Sequence, residues 1–326
     1  MKSFVVFVAF FLCSTALTAN PPAGYYDNAT GTGSTLKSQL HTIIRTGHQS
    51  ISYNEVRSQM RDGTLELPPD GTGVLLVYDG EESTSSAWPN WNREHLWPRS
   101  RGVGENQSSS GFAHNDLHAL RACDAGTNSS RGNRPFGTSS SEWDPDDLNT
   151  RQDMSFRGQV ARSLFYMATR YEGTDGDGSS DLELATFAGS NTMGDIRELV
   201  RWHYEYLPGP WERQRHEKVA SIHNNRNPFI DHPEWVWTIW GVPNFGQNNS
   251  QVYVGTGPGA NGSSGIFLEF GSFILGGTVT PKTATVNKTF DHPAAVAFDV
   301  PAEIAVTPQD QTMIFPFGSS TIEIEV

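Results

Sequence analysis

The chain has 326 residues, 36% of them hydrophobic, with 32 Gly; this is length enough for about two domains of roughly 150 residues and too apolar a composition for a disordered polar tail. A formal net charge of −13 and a pI near 5.2 exclude a protein held on nucleic acid by bulk positive charge, because that binding rests on Lys and Arg neutralising phosphates. An enzyme whose basic residues gather in one cleft stays possible. The two cysteines are Cys13, in an apolar N-terminal run, and Cys123; once that run is removed no internal disulfide can form and no Cys-based zinc site can exist.

In chain order, Lys2 followed by the apolar residues 4–13 and small residues ending near Ala19 has the layout of a secretory signal peptide over 1–19. The run is too short to span a bilayer as a helix, which takes about 20 apolar residues. The expected product is therefore exported, secreted or periplasmic, and without a membrane span. Leu36, Leu40, Ile43 and Ile44 recur at helical spacing behind Ser34. Ser52 with Glu55 predicts a capping box on a second helix ending at Gly63. Val74 to Tyr78 reads as a short strand. Val160, Leu164, Phe165, Ala168 and Tyr171 share one face of a helix over 158–172, and Ile196, Leu199, Val200 and Tyr204 of another. Pro210 suits the first position of a helix over Trp211 to Ile222, and Asp231 with Glu234 predicts a cap on a last helix that ends at Gly241. Trp235, Trp237 and Trp240 on that helix read as core. Asp175, Asp177 and Asp181 alternate as in a Ca²⁺ loop, but Thr186 stands where such a loop needs Glu, and the segment reads as an ordinary loop.

From about residue 246 the texture changes to Gly, Ser, Thr and Asn and then to short alternating runs between turns. Residues 251–326 hold two Lys, seven Asp or Glu and no Arg. The expected fold is α+β: a mostly helical domain over 20–245, then a small β-sandwich-like domain over 246–326.

Chemistry concentrates between Trp91 and Phe136. Asn92-Arg93-Glu94-His95, Arg99 and Arg101 come first, His114-Asn115-Asp116-Leu117-His118 and Arg121 next, and Asn128-Ser129-Ser130-Arg131 last. Carboxylate and amide oxygens suit Mg²⁺, which keeps waters and takes one or two protein ligands. A histidine beside them has the near-neutral pKa of a general base, and arginines can grip phosphate oxygens. Taken singly, a Glu-His pair is also an ordinary surface ion pair, and His114 and His118 are also ordinary hydrogen-bonded histidines.

Together these motifs resemble the bacterial endonuclease I family of secreted, ββα-metal nonspecific nucleases. The resemblance runs over most of 22–241, through Arg93-Glu94-His95-Leu96-Trp97-Pro98, Asp116-Leu117-His118-Ala119-Leu120-Arg121, Asn128-Ser129-Ser130-Arg131-Gly132-Asn133 and Asn225-Arg226-Asn227-Pro228-Phe229-Ile230-Asp231-His232-Pro233. It implies a domain built on a ββα-metal motif, with His95 as general base and Glu94 and Asn128 as ligands of one Mg²⁺, for which Mn²⁺ or Ca²⁺ are substitutes. It implies phosphodiester hydrolysis to 5′-phosphate and 3′-hydroxyl ends, on DNA with RNA left open. His114 to Asp116 would be the second strand, its backbone fixing the His95 ring at Nδ1 and leaving Nε2 as the base. His118 would lie behind that ring. Arg99 and Arg131 are the expected phosphate contacts, with Arg101 and Arg121 behind them. Two other readings stay open: a zinc hydrolase using His95, His114 and His118, and a noncatalytic surface or sugar-binding protein acting through 246–326, whose partner the sequence does not name. Asn128 also heads an Asn-Ser-Ser glycosylation sequon.

Overall fold

A computed structural model describes residues 21–241, apart from 62–64, 69–70, 85–89, 152, 174–180, 187–188 and 190, together with the backbone of six strands beyond residue 250. The helix α1 (Gly33–Arg45) buries Leu36, Leu40 and Ile44, one turn apart, and α2 (Tyr53–Arg61) buries Val56 and Met60. Each fully buried aliphatic side chain of this kind contributes about 1.5–3 kcal/mol. The capping box forms at α2: the Ser52 N–H donates to Glu55 Oε2 at 2.6 Å and the Glu55 N–H to Ser52 Oγ at 3.3 Å. The Gly63 end of that helix lies outside the described residues.

The expected strand from Val74 to Tyr78 is only two residues long. β1 (Val74–Leu75) pairs antiparallel with β2 (Glu82–Ser83), and Tyr78 sits at φ 80° in the turn between them. That turn carries the Tyr78 ring inward, where it is fully buried. Next come β3 (Trp91–His95), its antiparallel partner β4 (Leu120–Asp124) and α3 (Ala125–Arg131), with Glu94 opposite Arg121 and His95 opposite Leu120. Two-strand ladder and following helix make a ββα unit. The Asp124 side chain caps α3, accepting from the N–H groups of Gly126 at 2.8 Å and Thr127 at 2.9 Å.

The helix α4 (Phe156–Arg170) is buried nearly all round. Its apolar residues join the larger core with α1, with α5 (Ile196–Glu205) and with Phe229, Val236 and Trp240. At Gly158 a Cβ would lie 2.2 Å from the Tyr206 carbonyl oxygen, so only glycine lets the chain after α5 come this close to α4. The parallel pair β5 (Glu183–Leu184) and β6 (Thr192–Met193) precedes α5. Pro210 opens α6 (Pro210–His223), as expected. Among the described residues Asp231 caps no helix: Asn227 caps the short α7 (Pro228–Asp231), and a π-helical turn, Trp237–Gly241, follows. Trp240 stacks on Phe165 in the core, and Trp235 and Trp237 are half-buried against it.

A smaller core under α2 gathers Val56, Met60, Trp91, Leu117, Leu120, Ala122 and Val219. The ββα unit is wedged between the two cores, since Leu96, Trp97 and Cys123 belong to the larger one. Glu66, fully buried, ties β4 to α6 by accepting from Arg121 and Arg215, and Arg215 also donates to the Leu120 carbonyl at 2.8 Å.

Among the described residues no helix is long and apolar enough to cross a membrane. The signal-peptide segment 1–19 and most of the Ca²⁺-like loop lie outside them. Beyond residue 250 the strands pair antiparallel in twos: β7 (Gln251–Val254) with β8 (Ile266–Glu269), β9 (Thr283–Phe290) with β12 (Gly318–Glu325), and β10 (Ala294–Val296) with β11 (Met313–Phe315). How these pairs would stack into a sandwich lies outside the described residues.

Candidate active site

The strand β3 ends on the Glu94-His95 pair. His95 is 9% exposed, at the edge of the core, and its Nε2 lies 2.9 Å from the His114 carbonyl oxygen. A carbonyl can only accept, so Nε2 carries the hydrogen and, in the neutral ring, Nδ1 carries the lone pair. The backbone of His114 thus fixes the ring, but at the opposite nitrogen from the one expected: the atom left with the lone pair is Nδ1. Burial, with the neighbouring His114, pushes the His95 pKa down to about 3; the ring is neutral at neutral pH and able to accept a proton. The residues around His114 are a 3₁₀ turn, Ala113–Asn115, and the second strand of the motif is β4. The geometry follows from the turn, which aims a carbonyl across the ladder as a strand in register would not.

Glu94 is buried. Tyr78 donates to its Oε1 at 2.7 Å and Arg131 Nη1 at 3.0 Å. Oε2 takes no side-chain hydrogen bond among the described residues. Burial raises the Glu94 pKa, against the opposing pull of Arg131, Tyr78 and the His95 N–H, so the carboxylate is under-compensated and a further cation beside it would be favourable. Asn128, half-buried on α3, commits its Nδ2 to Asn92 Oδ1 and, at 3.4 Å, to the Arg93 carbonyl. This orients the amide, and Oδ1 takes no hydrogen bond among the described residues. Among the described residues, one carboxylate oxygen without a side-chain donor and one amide oxygen without a hydrogen bond, next to an under-compensated charge, fit a hard divalent cation that keeps most of its waters.

The arginines divide differently from expectation. Arg131 is 1% exposed and serves the fold of the site: besides Glu94 it donates to the carbonyls of His95 at 3.0 Å and Leu96 at 2.9 Å, and it lies over the Phe136 ring. An arginine committed to four partners in the core is a brace for β3 and not a phosphate contact. Arg121 is likewise buried on Glu66 and Gln159, and Arg101 donates to the carbonyls of Asn133 and Gly189. Arg99 alone of these four is exposed, paired with Glu105 at 2.6 Å.

His114 is buried, with Nδ1 on Asn115 Oδ1 at 2.8 Å and its ring 4.8 Å from His95. His118 points elsewhere, to Asn225 at 3.1 Å and to the rings of Tyr166 and His216. Among the described residues only His216, Glu217 and Asp231 bring three His, Cys or acidic ligand atoms together, and there Asp231 is already held by Arg226, His216 and Tyr26. A three-histidine zinc centre from His95, His114 and His118 is therefore not formed.

Three contributors were given no role of their own in the sequence. Tyr78 holds Glu94, and its signal was a tyrosine closing an apolar run, a hydroxyl that needs a buried partner. Asn92 holds Asn128 from two residues upstream of Glu94. Tyr53 packs 5.7 Å from the His95 ring and 4.5 Å from that of His114, a proximity with no local signal.

The sequence model of the family described as Endonuclease I matches residues 32–234. Over 233 residues the chain is 39% identical to a protein named extracellular ribonuclease from Bacillus amyloliquefaciens, covering 66% of this chain and 78% of that one. Over 249 residues it is also 39% identical to an extracellular ribonuclease of Bacillus subtilis (strain 168), covering 70% and 83%. The chain belongs to the endonuclease I family and is a nuclease.

Proposed function

As a member of this family the chain, we propose, is an exported, Mg²⁺-dependent nuclease that hydrolyses RNA and DNA without sequence preference, leaving 5′-phosphate and 3′-hydroxyl ends. The observation that carries this reading is the His95 ring, locked by the His114 carbonyl with Nδ1 as acceptor, on the same strand end as a buried carboxylate whose second oxygen has no side-chain donor among the described residues. Nδ1 takes the proton of a water aligned with phosphorus and passes it on to solvent. Glu94 and Asn128 would hold the Mg²⁺, for which Mn²⁺ or Ca²⁺ could stand in; when bound, the ion supplies positive charge that eases charge build-up on the leaving oxygen. Tyr78 and Arg131 keep Glu94 in place, and Asn92 keeps Asn128 turned.

Because the nucleophile is water and not the substrate's own 2′-hydroxyl, the same residues serve ribose and deoxyribose. The relatives' names support RNA as a substrate. Contacts to phosphate carry no base information, which supports nonspecificity. The extracellular relatives and the apolar leader support export. The test is the chemistry of the ends: a 2′-O-methyl RNA strand should be cut in Mg²⁺ to 5′-phosphate fragments. Protection by 2′-O-methylation, or 2′,3′-cyclic phosphate products from ordinary RNA, would overturn the water mechanism.

A further inference from the structure

The carbonyl that fixes His95 sits in a 3₁₀ turn of only three residues, Ala113–Asn115. A turn this short has little stability of its own, so the direction of its carbonyl groups depends on what anchors it. The chain leaving the turn is tied to α4. There the buried carboxylate of Asp116 accepts from the hydroxyls of Tyr166 at 2.8 Å and Tyr171 at 2.7 Å, and from the His118 N–H at 2.9 Å. The turn itself is held by Asn115, which is fully buried.

The amide of Asn115 has one orientation. Its Nδ2 donates to the Ser108 carbonyl at 2.6 Å, and a carbonyl only accepts, so Oδ1 faces the other way. Oδ1 lies 2.8 Å from Nδ1 of His114 and accepts that ring's hydrogen. Ser108 is fixed in turn, its N–H donating to Asn106 Oδ1 at 3.1 Å. One side chain thus clamps a loop carbonyl on one side and the His114 ring on the other. That ring is 1% exposed and packs 4.8 Å from the His95 ring, and the carbonyl of the same residue accepts from His95 Nε2. A tilt of His114 therefore moves both of its contacts to His95 together.

We propose that Asn115 is a positioning residue for phosphodiester hydrolysis: by clamping His114 against the Ser108 carbonyl, it keeps the His114 carbonyl on His95 Nε2–H and so keeps Nδ1 turned to the attacking water. The proposal rests on the nuclease reading above. Asn115 acts only through His114 and His95, and its effect is one of geometry, where a displacement of about 1 Å is worth roughly a hundredfold in rate.

The test reads the hydrogen bond and the chemistry separately. In the full chain with isotopically labelled histidine, in EDTA, the His95 Nε2–H gives a nuclear magnetic resonance signal identified by its loss in His95→Ala. Held on a buried carbonyl, that hydrogen exchanges slowly with water, and in Asn115→Ala the exchange should be at least about tenfold faster. Asp116 still ties the segment to α4 in that variant. Cleavage of RNA in Mg²⁺ should show kcat lowered roughly 10- to 100-fold with KM unchanged, as for a misplaced base. Because the effect runs through His95, adding Asn115→Ala to His95→Ala should cost less than about twofold more. A folded Asn115→Ala protein with the parent's exchange rate overturns the proposal, and so does a loss of kcat that is as large without His95 as with it. Should that variant not fold, Asn115→Asp decides: it keeps an acceptor for His114 but sets an oxygen against the Ser108 carbonyl, and exchange equal to the parent's overturns the clamp. A wild-type chain that fails to cut RNA in Mg²⁺ would sink the nuclease reading instead, and the exchange rates would still report on Asn115.

Discussion

Replacing Arg131 by methionine separates bracing from phosphate binding. The substitution leaves Glu94, 3% exposed, with Tyr78 as its only side-chain donor among the described residues and strips the His95 and Leu96 carbonyls of the Arg131 guanidinium. Removing one partner of a buried ion pair costs about 3–5 kcal/mol, because the other charge stays buried without compensation. At roughly 2–4 °C per kcal/mol for a domain of this size, the melting temperature should fall by about 6–20 °C. Arg131 also opposes the upward shift of the Glu94 pKa, so its loss drives the carboxyl further toward the protonated form and weakens metal binding. Differential scanning calorimetry in EDTA, with Mn²⁺ titration of the folded variant at 15 °C, reads both effects. The salt slope of RNA binding should not move. An unchanged melting temperature together with a slope lowered by about 0.7, as a lost single-strand phosphate contact requires, would refute the bracing role and return Arg131 to the phosphate.

Burial holds the pKa of His48 and His95 down to about 3, and that of His118 and His203 well below the ordinary value. A histidine with a depressed folded pKa takes up its proton only on unfolding, so stability falls as pH drops below about 6.5, by up to about 1.4 kcal/mol per unit for each such ring, until the folded pKa is reached. Guanidinium midpoints should therefore decline steeply between pH 7 and 5, and a flat profile across that window would contradict the buried neutral histidines. Cys123, buried and with its thiol pKa pushed far up by burial, should not react with a water-soluble disulfide reagent until denaturant is added; prompt labelling of the native chain would refute its burial. Asn128 Nδ2, the atom a glycan would occupy, is held by Asn92, so secretion from a eukaryotic host should leave the folded protein unmodified there. Mass spectrometry showing full occupancy at Asn128 in an active enzyme would refute that packing.

The helices were readable because their apolar residues repeat locally: Leu36, Leu40 and Ile44 need only the helical period, and the Ser52–Glu55 box only a three-residue spacing. Glu94, His95 and Asn128 stood out as candidates through motif order, and the ββα unit brings them to one strand end and the following helix. What the sequence could not carry was partnership across distance. Arg131 follows an Asn-Ser-Ser turn and looks exposed, yet it reaches back 37 residues to Glu94. The nitrogen by which His95 is fixed depends on a carbonyl 19 residues away, which no residue type encodes. Tyr78 looked like the end of a strand because a positive φ is invisible in composition, and that φ is what turns its hydroxyl onto Glu94.

The central claim is that a neutral His95 beside a Glu94–Asn128 cation site hydrolyses phosphodiesters, and its most direct measurement is cleavage of single-stranded RNA and plasmid DNA by purified residues 20–326 in Mg²⁺, in parallel with EDTA and with His95→Ala. The account predicts cleavage of both substrates by the parent, abolished by EDTA and reduced at least about a hundredfold, as for loss of a general base, by His95→Ala. Cleavage that survives either control would contradict it.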